Sequence, residues 1–135
     1  MTQSVSRLTK LTDRLGAVLP PEYVEFLQGH RAVTGEWIVA SNPDYWGVSC
    51  FFELAGGGKD QQVDAVYRIL WDVLPAGTLP IDENEAGNLY LLDCNEGPAK
   101  GSLLWWDHER ELGDVRTELV SRSLADFLRL LTSPS

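Results

Sequence analysis

No run of about 18 apolar residues occurs in this chain, so no membrane-spanning helix is expected. The opening stretch, MTQSVSRLTKLTDRLG, lacks the apolar core of a signal peptide. Cysteine is scarce. Cys50 and Cys94 are too few and too far apart for a zinc site, which takes four ligands in close-spaced pairs. One disulfide between them is chemically open, but nothing else points to an oxidising compartment. The expectation is a reduced, cytoplasmic protein with buried structural thiols. Positive charge is also in short supply. Lys and Arg number 11 against 20 Asp and Glu, a formal net charge of −9, and the cations form no cluster along the chain. Such a field repels phosphate backbones and attracts basic surfaces, which argues against direct nucleic-acid binding.

Apolar material is not lacking. At 44% hydrophobic and 23% charged, the chain can bury a core without a disulfide or a metal. Residues 1–135 therefore read as one domain. Val5, Leu8, Leu11 and Leu15 recur at helical spacing up to Gly16. Pro21 and Glu22 suit the first turn of a second helix that carries Tyr23, Phe26 and Leu27 and stops at Gly29. The two should form a hairpin.

From Glu36 the period changes. EWIVA and WGVSCFFEL are rich in β-branched and aromatic residues around the turn-like SNPDY, and read as two antiparallel strands. Asp60 is placed to cap a third helix through Val63, Val66, Tyr67, Leu70 and Leu74, closed by Pro75. Strands resume at NLYLLDC, GSLLWWDH and DVRTELV, the first two joined by a hairpin loop. Ser123 with Asp126 three residues on resembles a capping box for a last helix carrying Leu124, Phe127, Leu128 and Leu131. This order has no βαβ alternation. It predicts an α+β fold with a mostly antiparallel sheet.

The stretch PIDENEAGNLYLLDC partly matches a calcium loop, with Asp82, Asn84 and Gly87 at positions one, three and six and Asp93 at twelve. Ala86 at position five offers no oxygen, and LYLLDC has strand character where a helix should begin. A polar turn is the plainer account. WWDHERE gathers Asp107, His108, Glu109 and Glu111, but alternation along a strand sends His108 to the face opposite Asp107 and Glu109. His30, just beyond a helix end, suits the negative end of the dipole. Ser49 lacks the glycines of a nucleophile elbow, and AGGGKD lacks the Ser or Thr of a phosphate loop. No catalytic, metal-binding or cofactor-binding constellation emerges.

Four stretches taken together resemble a known family. LPPEYVEFL is similar to the opening signature of the SUKH superfamily, which includes bacterial immunity proteins and a yeast regulator of cell-wall synthesis. LPIDENEAGNLYLLDC resembles its second signature, GSLLWWDHE the strand that follows, and SRSLADFLRLL its closing helix. They occur in family order over about residues 8–131. Where the family often has Asn-Gly-Gly after the second helix, this chain has GHRAVTG, so contacts there do not carry over.

The resemblance implies a single SUKH-like α+β domain, without catalysis or cofactor, whose bacterial relatives bind and neutralise toxins, many of them nucleases. The expected partner is a cognate toxin with a basic surface. Residues 82–118 hold ten Asp and Glu against three Lys and Arg, a net of −7, which suits such a partner. Candidate contacts are Asp82, Glu83, Glu85, Asp107, Glu109 and Glu111, with Trp37 and Trp46 as aromatic candidates. An intracellular scaffold of the same fold is the first alternative. A small metal-dependent hydrolase using Asp107, His108 and Glu109 is the second.

Overall fold

The apolar stripe of the first segment folds as its spacing dictates. In the computed structural model, which describes residues 2–29, 37–39, 47–48, 50–54, 62–84, 87–107 and 117–132, helix α1 spans Thr2–Leu15 and buries Leu11 and Leu15. Gly16 ends it at φ 73, its N–H donating to the Thr12 carbonyl at 2.9 Å, a left-handed cap that suits glycine. Helix α2 covers Pro21–Gly29 and buries Tyr23. The expected hairpin is not the main contact of either helix: α1 lies chiefly on the third helix and α2 on the fourth.

Strand β1 is Trp37–Val39, β2 is Gly47–Val48 and β3 is Cys50–Phe51. The stretch WGVSCFFEL was expected to be one strand, and it divides between two sheets. β2 pairs with β1, whereas β3 pairs with β4, Thr78–Glu83. Helix α3 runs Val63–Leu70. It ends before Pro75, with the Trp71 N–H donating to the Tyr67 carbonyl at 2.8 Å. Gln62 stands at its N-cap, its side-chain oxygen accepting from Arg7 Nη2 at 3.3 Å rather than capping the helix, and Asp60 lies outside the described residues.

β5 (Leu89–Asp93), β6 (Leu103–Trp106) and β7 (Thr117–Ser121) complete a sheet of order β3-β4-β5-β6-β7, every pairing antiparallel. α4 follows at Leu124–Leu130, and β8 (Leu131–Thr132) joins β1 and β2 in a small second sheet. The fold is α+β, as expected. β4 and β8 were not anticipated. Pro80 makes TLPIDE look like a loop, because proline cannot donate to a ladder. The strand accommodates it at a bulge between Pro80 and Asp82, where the Ile81 carbonyl accepts from the Phe52 N–H at 2.8 Å.

The core gathers the buried faces of all four helices and of both sheets. Phe127, fully buried, packs against Tyr90 at 5.2 Å and Phe51 at 6.2 Å between ring centroids. The Tyr90 hydroxyl donates to the Gly47 carbonyl at 2.8 Å and so ties the two sheets together. The N-terminus of α4 is capped twice. Ser123 Oγ accepts from the Asp126 N–H at 3.1 Å, as its sequence position foretells. The Glu22 carboxylate, from α2, accepts from the N–H groups of Leu124 at 2.7 Å and Ala125 at 3.3 Å.

Candidate functional site

Strand register places two of the acidic candidates at one end of the large sheet. Glu83 pairs with Cys50 and Leu89, Leu89 with Trp106, and Trp106 with Thr117. Asp107 follows Trp106, so Glu83 and Asp107 lie at the same end, and both are half-buried. With neighbouring strands about 4.8 Å apart, Glu83 and Trp106 are separated by roughly 10 Å. Glu85, Glu109, Glu111 and Trp46 lie outside the described residues, as do His30 and His108. Trp37 is half-buried and packs against the core from β1.

Asp82 departs from the expectation. Directly paired residues share a face, so Asp82 lies in one row with Phe51 on β3 and Tyr90 on β5, beneath Phe127. It is 0% exposed. Among the described residues, neither carboxylate oxygen has a hydrogen-bond partner, nor does the buried Tyr23 hydroxyl. Burial, and after it the nearby charge of Glu83, pushes the Asp82 carboxyl well above the usual carboxylate range. Burial also raises the Tyr23 phenol, with Asp82 adding to the effect. Asp82 is thus an inward-facing core group and is withdrawn as a contact for a docked partner. The bulge at Ile81 sets which row it joins, because the extra residue brings Asp82 opposite Tyr90.

The polar turn is built as its composition suggests. The Asn84 N–H donates to the Asn88 carbonyl at 3.0 Å, the Asn88 N–H to Asn84 Oδ1 at 3.0 Å, and Gly87 sits at φ 86. Asp93 pairs with Thr78, at the opposite end of β5 from the residues facing Asp82. The register therefore keeps the first and last positions of the calcium-loop template apart. Cys94 is a free buried thiol that burial, then the charge of Asp93, pushes up to about 12, which makes it unreactive.

Two surface features escaped the sequence reading. Ile69, Trp71 and Val73 follow one another at the end of α3 with large apolar surface exposed, Trp71 at 57%. The cations, scattered along the chain, are gathered by the fold. Arg7, Lys10, Arg14 and Arg68 line a notch between α1 and α3, which corrects the expectation that no Lys/Arg cluster exists. The spacing of Arg7, Lys10 and Arg14 was a visible signal of one helical face. The addition of Arg68 required the tertiary structure.

These elements, in this order, match one known pattern. Scanned against models of protein families, residues 4–130 match the SMI1 / KNR4 family (SUKH-1). The chain belongs to that family. Comparison with curated proteins and with solved structures gave no match. SUKH-1 membership accords with a toxin-immunity or regulatory role and names no partner. Among the described residues of this SUKH-1 chain, no group of three His, Cys, Asp or Glu side chains is placed to hold a metal, and no helix is long and apolar enough to cross a membrane.

Proposed function

We propose that this chain is a non-enzymatic cytoplasmic binding protein that neutralises a cognate toxin by docking an acidic surface on the toxin's basic site. Family membership and the net charge of −7 over residues 82–118 support the reading. A nuclease must hold phosphate with cationic groups, so an acidic surface both steers towards that site and occupies it. The observation that carries it is the common placement of Glu83 and Asp107 at one end of the sheet. Asp82 is excluded by its burial, which leaves Glu83, Glu85, Asp107, Glu109 and Glu111 as the acidic contacts, with Trp37 and Trp46 as aromatic ones.

The deciding experiment expresses the neighbouring open reading frame with and without this protein and scores survival. Rescue from a lethal product, with a direct complex recovered, supports immunity. A harmless product, or killing regardless of this protein, favours the second reading. In that reading the chain is a regulatory scaffold, and the exposed Trp71 is its anchor, since tryptophan is enriched among the residues that dominate interfaces.

A further inference from the structure

The notch between α1 and α3 shares no lining residue with the acidic surface and opposes it in charge. Its walls carry Arg7, Lys10 and Arg14 from α1 and Arg68 from α3, around a space of about 320 Å³. These are four of the chain's 11 Lys and Arg. Asp64 is the one carboxylate among the described lining residues, and it is already engaged. Arg7 Nε and Nη2 donate to its two oxygens at 2.9 and 2.6 Å. That bidentate pair fixes Arg7 and leaves Lys10, Arg14 and Arg68, none of which has a carboxylate at ion-pair distance among the described residues. Four cations against one anion leave a local charge of +3 on a protein whose overall charge is −9.

We infer that this notch binds a compact, multiply charged phosphate ligand, by its phosphate chain. Three considerations select that chemistry. Arginine side chains suit phosphate oxygens because the planar guanidinium donates in a fork. A charge of +3 in so small a space is matched by one di- or triphosphate group, whereas carboxylates bring a single charge each. The net −9 repels a long polyanion along its whole length, but screening over about 8–10 Å lets a small anion respond to the nearby cations. Among the described lining residues Leu11 is the one apolar side chain, and at 2% exposed it offers no platform for a base. Recognition is therefore of the phosphates. This site is independent of the toxin reading.

The test titrates inorganic tripolyphosphate into the full chain by calorimetry at low ionic strength. The parent protein should bind at one site. Lys10→Gln, Arg14→Gln and Arg68→Gln should each weaken binding by about tenfold, the loss expected for a charge-assisted hydrogen bond. The triple variant should not bind, while circular dichroism shows its helices retained. Arg129→Gln, an exposed cation outside the notch, should bind like the parent. Absence of heat with the parent, or equal binding by the triple variant, overturns the assignment. So does tighter binding of an oligoglutamate peptide, which would make the notch a protein contact. Tighter binding of a single-stranded oligonucleotide overturns it too, in favour of nucleic acid.

Discussion

Asp82 and Asp64 are two carboxyl groups driven in opposite directions by their surroundings. Asp82 sits among aromatic rings, with no donor to either oxygen among the described residues, and its burial favours the acid form. The unfolded chain releases that proton at lower pH than the folded one. Stability therefore declines as pH rises from about 4, the ordinary carboxyl value, towards the raised value of the folded state. Asp82→Asn should remove that decline and be more stable than the parent at neutral pH, by on the order of 1 kcal/mol. Urea denaturation at several pH values checks this, and equal slopes in both proteins would exclude Asp82 as the cause. At Asp64, burial alone would raise the carboxyl, but the Arg7 hydrogen bonds and charge outweigh it and the net shift is downward. Its contribution is present above about pH 4 and is lost as pH falls through the lowered value. Arg7→Gln should cost about 1 kcal/mol at neutral pH, reduced because both side chains are partly exposed, and the difference should shrink in acid.

At the scale of elements, α4 shows how local and distant groups share one task. Ser123 caps it from the adjacent residue and Glu22 from 102 positions away in sequence. Ser123→Ala should destabilise by about 1 kcal/mol, in the usual range for a lost cap. Glu22→Gln should cost a similar amount, because a weaker acceptor then faces the N–H groups of Leu124 and Ala125. If both caps serve the same helix end, the double variant will depart from additivity in denaturation experiments. The Ser123 cap was legible in the sequence, since its signal spans four residues. The Glu22 cap was not, because nothing local marks a carboxylate as the partner of a helix a hundred residues on. β4 was hidden for a related reason. Its six residues contain Pro80, Asp82 and Glu83, each unfavourable in a strand, and only pairing with β3 and β5 on either side holds them there.

Across the whole molecule, charge is sorted by the fold. The acidic excess of residues 82–118 includes Glu83 and Asp107 at one end of the large sheet, and four cations meet between α1 and α3. Replacing Glu83, Glu85 and Asp107 together by Lys should slow association with a basic toxin by tenfold or more at low salt and flatten its salt dependence, as steering predicts. Stopped-flow association rates at two ionic strengths read this directly, and an unchanged rate rules out that end of the sheet as the steering surface. The sequence by itself determined that helices run through Val5–Leu15, from Pro21 to Gly29 and onward from Ser123, though not that the last one yields to β8 at Leu131, together with the antiparallel α+β class and the family. Each of these rests on short-range rules: helical period, caps, turn residues and four short stretches in order. Only the tertiary structure decided that WGVSCFFEL serves two sheets, that Asp82 points inward, and that Arg68 joins the cations of α1. Burial and charge proximity depend on which distant segments pair and in what register, and the bulge at Ile81 sets Asp82 opposite Tyr90, in the row beneath Phe127.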